Sequence, residues 1–199
     1  MDIVQRVKDI LLTPKQTWPA IESETTDTAS LYKNYIAILA IIPAVAGFIG
    51  MSVVGFGMMG VTIRVPFVNG LAQMIAGYVL SLAMVFAVAL IVDALAPSFG
   101  GQKSQINALK LVAYGSTAGM VGGIFSLIPA LSVLGLVASL YSIYLIYLGL
   151  PVLMKCPAEK ALVYTIVILV CAVVAGMIVG AVSAIFTPSP AMPMLGRGG

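Results

Sequence analysis

Five long apolar runs dominate the chain, at about residues 35–54, 71–95, 106–128, 130–153 and 161–186. A helix needs roughly 20 apolar residues to cross a hydrocarbon core of about 30 Å. In lipid, the N–H and C=O groups of a spanning segment are satisfied within a helix or a closed barrel. Runs of this length predict helices, and the predicted fold is all-α: a polytopic bundle of five transmembrane helices. Only the region around Pro129 separates the third run from the fourth, which predicts a tight helical hairpin. A re-entrant hairpin would leave three full spans and the same sides for the termini. Residues 55–69, with Gly55, Gly57, Gly60 and Pro66, are expected to form a loop, as is the stretch from Pro97 to Gly101. The transmembrane domain is placed at 34–187. Residues 188–199, rich in Pro, Met and Gly, read as a disordered tail.

Residues 1–33 form a polar head that holds five of the seven acidic residues and four of the ten basic ones. Ile3, Val4, Val7, Ile10 and Leu11 share one face at helical spacing, with Arg6, Lys8 and Asp9 opposite. That pattern predicts a short N-terminal amphipathic helix. It fits a helix lying on the membrane surface and, equally, one packed on the protein's own core. Pro14 should end it. Thr17-Trp18-Pro19 reads as a fresh helix start, with Thr as the cap and Pro in the first turn. Trp18, the one tryptophan, is expected at headgroup depth.

Composition agrees with lipid as the solvent. The 199 residues are 61% hydrophobic and 9% charged, with a mean hydropathy of +1.11. A soluble domain of this size leaves too much surface wet to hide so much apolar area. With the N-terminus in the cytoplasm, Arg6, Lys8, Lys15, Lys33, Lys103, Lys110, Lys155 and Lys160 fall inside, while Arg64 and Arg197 fall outside. This bias predicts an N-in, C-out orientation. The net charge of +3 is scattered, without the basic stripe that nucleic-acid binding needs. No cleavable signal peptide is expected, since residues 1–30 lack a central apolar stretch. Cys156 lies in a short loop and Cys171 in an apolar run, a poor placement for a disulfide framework.

Candidate chemistry is sparse. Asp93 is the one acid within a span, and an intramembrane ionisable group is a functional hypothesis by default. It sits near the cytoplasmic end of its span, where water, Lys103 or Lys110 would satisfy it. Lys110 opens the third span and can snorkel. Tyr141, Tyr144 and Tyr147 recur every three residues in the fourth span, with Tyr114 in the third. Buried phenols need partners, so a polar seam of Asp93, Lys110 and these tyrosines is the candidate site, read as a helix seam or as a ligand groove. Gly115, Gly119 and Gly123 repeat every four residues, as do Gly176, Gly180 and Ala184. Such stripes let helices approach closely in lipid, within one chain or between chains. The chain has no histidine, which removes the commonest metal ligand and proton shuttle. Its eleven methionines are dispersed, and Met192 with Met194 in the tail make a weak copper motif. There is no phosphate loop and no Gly-x-Ser-x-Gly elbow. No catalytic residue, metal or cofactor is expected.

Three stretches resemble the Yip1 family of membrane proteins, in its bacterial branch. They are Leu12-Thr13-Pro14-Lys15 followed by Trp18, Ile21 and Glu24; Lys110 to Ser116; and Tyr141 to Leu150, continuing to Glu159-Lys160-Ala161. The likeness covers about residues 8–185 and rests on the order of these stretches. It implies five spans, a cytoplasmic N-terminus and an outside C-terminus. Eukaryotic members are implicated in trafficking and bind prenylated GTPases. This chain lacks their Asp-Leu-Tyr-Gly-Pro segment and has a far shorter head, so that binding is not carried over. The resemblance favours a bacterial inner membrane and supplies no site residues. The expected function is a non-enzymatic membrane scaffold that organises partners or lipids. A small-solute or ion permease using Asp93 and the tyrosines is the alternative, and a membrane enzyme or enzyme subunit is a third class. Expected partners are the lipid bilayer and other membrane proteins, or further copies of the chain.

Overall fold

A computed structural model describes residues 2–58 and 61–186, with the backbone alone for 56–58, 61–63, 129 and 178–186. The tail, with Met192, Met194 and Arg197, and Gly60 of the first loop lie outside the described residues. Five helices are long and apolar enough to cross a membrane. The first runs over Thr28–Val54 and the second over Phe67–Leu95, ending in a 3-10 turn at Ala96–Phe99. The third covers Gln105–Leu127, the fourth Ser132–Leu153 and the fifth Ala158–Phe186.

The first span starts at Thr28 rather than near residue 35, because Asp27 caps it. The Asp27 carboxylate accepts from the backbone N–H of Ala29 at 3.1 Å and of Ser30 at 3.2 Å, satisfying donors that the first turn leaves open. Hydrogen bonds from Ser30 hold this carboxyl below the usual range. The span contains two π-helical stretches, Tyr32–Ile36 and Ile49–Val54. It ends at Gly55, whose φ of 84° turns the chain out of the helix. The following loop holds a short antiparallel ladder, β1 (Phe56–Met58) with β2 (Val61–Ile63), in register Phe56 to Ile63.

The third span is the hub. Of its most apolar window 61% is buried inside the protein, against 17–28% for the other four. It packs against the first, second and fourth spans, and the fifth packs against the second and fourth. Its helix breaks at Ser116 and closes as a 3-10 segment, Gly123–Leu127. A 3-10 turn at Pro129–Leu131 then reverses the chain into the fourth span, which gives the expected hairpin.

Two helices form the head: α1 (Ile3–Leu12) and α2 (Pro14–Ser23). Pro14 opens α2 at a position where its missing N–H costs nothing. Thr17 is therefore inside α2 rather than its cap, and Pro19 lies in mid-helix. The Thr17 hydroxyl donates to Asp9 O at 2.9 Å and Thr13 O at 2.8 Å, clamping the end of α1 to the start of α2. Arg6 does not share a solvent face with Lys8; it turns inward with Ile10, one helical turn away. Trp18, expected among the headgroups, is enclosed by the protein itself. It is 0% exposed and lies over Gly149 of the fourth span, beside Leu111 of the third. A Cβ at Gly149 would stand 2.8 Å from Trp18 Cε2 and 2.5 Å from Leu111 Cδ1, so only glycine leaves room for the indole. The head is docked on the third and fourth spans.

Candidate functional site

The polar groups of the docked head converge beneath it. The Arg6 guanidinium pairs with the Glu24 carboxylate and lies 5.7 Å over the centre of the Tyr114 ring. Lys110, 3% exposed, donates from Nζ to Ile21 O at 2.9 Å and to Glu24 O at 2.5 Å, the end of α2 and the residue after it. The Tyr35 ring packs tilted against Tyr114, with centroids 4.5 Å apart, and its hydroxyl shares a 2.7 Å hydrogen bond with Thr117. The Tyr141 hydroxyl donates to Leu11 O at 2.7 Å, closing the last turn of α1. A buried cation needs a counter-charge or a full set of acceptors; Arg6 finds the Glu24 carboxylate and Lys110 finds two backbone carbonyls, all from the head. The Arg6 side chain is 5% exposed and that of Glu24 41%, so the carboxylate sits at the rim and the guanidinium inside. A second tie, Lys155 to Glu22 at 2.6 Å, is exposed and contributes little.

The predicted seam divides into three places. Lys110 and Tyr114 join the network under the head. Tyr141 ends α1, with the Tyr144 ring 5.7 Å away on the exposed surface; Tyr147 packs on the core nearby. Asp93 belongs to a separate cluster, near the C-terminal end of the second span. There Tyr164 donates to Val92 O and stacks on Phe99 at 4.5 Å. Asp93 Oδ1 is buried without a hydrogen-bond partner. Neither Lys103 nor Lys110 pairs with it among the described ion pairs.

The third-span glycines face two neighbours. Gly115 receives Ile146 of the fourth span, and the Gly119 N–H donates to Ser142 Oγ at 2.8 Å. The next seat on the fourth span is Gly122, against Ala138, whereas Gly123 meets Pro43 of the first span. Gly176 faces open space within 4 Å; for Gly180 only the backbone is described. Arg6, Glu24, Tyr35 and Thr117 carried no signal in the sequence as site residues. The one available hint is that Arg6 stands a full turn from Ile10. Among the described residues no group of three or more His, Cys, Asp or Glu is placed to hold a metal ion. Both cysteines are free, and burial pushes the Cys156 thiol up.

The profile of the Yip1 domain matches residues 8–187, from within α1 to just past the last span. The chain belongs to the Yip1 family. It is 24% identical over 156 residues to inner membrane protein YohC of Escherichia coli K12, covering 76% of this chain and 80% of that protein. The protein of the same name from Escherichia coli O6:H1 gives the same figures. No solved structure matches the chain. The family match and the five apolar helices make this Yip1 chain an integral membrane protein, with the inner membrane as its location. The matched stretch includes Trp18, Glu24 and Lys110, so α2 and the end of α1 belong to the same family unit as the spans.

Proposed function

We propose that the protein is a non-enzymatic membrane scaffold, which organises partner proteins or lipids around a fixed bundle. One observation carries this reading: the two buried cations, Arg6 and Lys110, are used up in holding the head to the spans. These two charges serve architecture, and the spans leave much apolar helix surface exposed. The head, Lys103, Lys110, Lys155 and Lys160 cluster at one end of the bundle, which supports an N-in orientation. Val4 and Leu12 remain exposed on α1, which supports contact between this helix and the membrane surface as well as the core.

The test is crosslinking within intact membranes. A scaffold yields the same crosslinked species in repeated preparations, and Lys110→Ala, which loosens the head, weakens it. A chain recovered alone, in the original form and the variant alike, overturns the reading. The orphaned Asp93 Oδ1 favours a second reading, a permease. That reading requires solute or ion flux in liposomes that Asp93→Asn abolishes. The absence of a visible inverted repeat of the spans in the sequence weighs against it.

A further inference from the structure

The head does not sit at the tip of the bundle. α1 packs against Thr117–Gly122 of the third span, and Thr117 stands about 18 Å along that span from its start at Gln105. Lys15 and Gln16, at the corner between α1 and α2, line a cleft with Tyr141 and Tyr144 of the fourth span. Tyr144 stands about 14 Å before the end of its helix at Leu153. Both neighbours therefore place this side of the head near mid-span, about half-way through a hydrocarbon core of about 30 Å. Yet Gln5, Lys8, Lys15 and Gln16 are exposed. On the fourth span the exposed apolar stripe, Val133, Val137 and Leu140, ends at Tyr144, and Ser132 to Tyr144 measures about 18 Å.

Elsewhere the belt is deeper. The fifth span follows the fourth after residues 154–157, so the two helices meet at one level. Ile166 stands about 12 Å from the start of the fifth span at Ala158, level with Tyr144. Ile166 is exposed, and so are Leu162 and Val163, still nearer that end. A flat slab of lipid fits neither side. Set to cover Leu162, it buries exposed polar groups of the head in hydrocarbon, which is costly. Lysine can snorkel, but Gln5 and Gln16 lack its long stem. Moved to free the head, the slab leaves apolar surface of the fifth span in water. A bilayer meets an uneven apolar belt by changing its own thickness.

We propose that the protein thins the bilayer beside its head. Water and headgroups of the head-side leaflet come in to the level of Tyr144, while the bilayer keeps its full thickness along the fifth span. No individual lipid is selected; the partner is the leaflet itself. Beside the head a polar group faces about 18 Å of hydrocarbon instead of about 30 Å. This deepens the lipid-organising side of the scaffold reading and rests on it.

The test is a spin-label depth scan of the full chain in phosphatidylcholine bilayers. Single labels are placed by Val133→Cys, Val137→Cys, Leu140→Cys, Tyr144→Cys, Gln16→Cys and Ile166→Cys, with both native cysteines replaced by alanine. All six positions are exposed, so the labels leave the packing undisturbed. Collisions with oxygen report hydrocarbon, and collisions with a water-soluble nickel chelate report water. Along the fourth span the oxygen maximum is expected at Val137, near the middle of the short strip. That is about one helical turn nearer Ser132 than the midpoint of the whole span, which lies between Leu140 and Tyr144. The nickel chelate should dominate at Tyr144 and Gln16, and oxygen at Ile166. An oxygen maximum between Leu140 and Tyr144 overturns the proposal, because hydrocarbon then reaches the head at full thickness. Dominance of the nickel chelate at Ile166 also overturns it, because the bundle then protrudes from a flat bilayer. Loss of the depth pattern with membrane crosslinks intact, or the reverse, separates failure of this inference from failure of the scaffold reading.

Discussion

At the scale of single residues, Lys110 ties the end of α2 to the third span. Its ammonium satisfies two carbonyls, Ile21 O and Glu24 O, in a place that excludes water. Lys110→Ala leaves both acceptors unpaired, at about 1–3 kcal/mol for a buried group left unsatisfied. The expected result is a lower melting temperature in detergent and faster proteolysis of residues 1–24; an unchanged melting curve would contradict it. Cys156 makes a second prediction. Burial raises its thiol pKa, so less thiolate is present at neutral pH and the nucleophile is scarce. Maleimide labelling of Cys156 should be slow at pH 7 in the folded protein. It should accelerate as pH rises and become fast in denaturant. Prompt labelling at neutral pH would show a thiol that is neither buried nor raised.

Elements differ in how plainly the sequence declares them. The spans were legible because each apolar run exceeds any soluble helix of its composition, and the Pro129 turn was legible because nothing else separates the third run from the fourth. The head was half legible. Periodicity placed a helix from Ile3 through Leu11, ended by Pro14, but put Arg6 on the wrong face, since a pattern of apolar positions has no means of marking a cation buried for pairing. Its partner Glu24 lies 18 residues away, beyond the reach of a helical repeat. The start of α2 was misplaced by four residues because Thr17 and Pro19 imitate a cap, while Thr13 and Pro14 hold the position. The glycine stripes were legible as packing surfaces but not as to partner. Gly122→Leu should separate the third and fourth spans, because a side chain there meets Ala138 inside van der Waals contact. Gly176→Leu should leave the fold intact, since no described atom of another element lies within 4 Å of a Cβ placed there. Thermal stability in detergent checks both; equal effects would contradict the assignment of the seam.

For the whole molecule, the apolar belt is uneven. Exposed apolar residues run from Phe67 to Leu90 on the second span, about 35 Å of helix, but end at Tyr144 on the fourth. Below that level the head takes the place of lipid against the third and fourth spans. The bundle is therefore a five-helix body in which a non-spanning segment completes one side, and the buried cations lock that segment in position. Trp18 reports on this arrangement directly, because it is the one tryptophan in the chain and sits in the contact itself. The decisive measurement is quenching of its fluorescence in the full-length protein reconstituted in bilayers, by acrylamide from the water and by spin-labelled lipids at a series of depths. A docked head predicts weak quenching by acrylamide and by every lipid probe. Strong quenching by the headgroup-depth lipid probe would contradict it, by placing the indole in the bilayer interface.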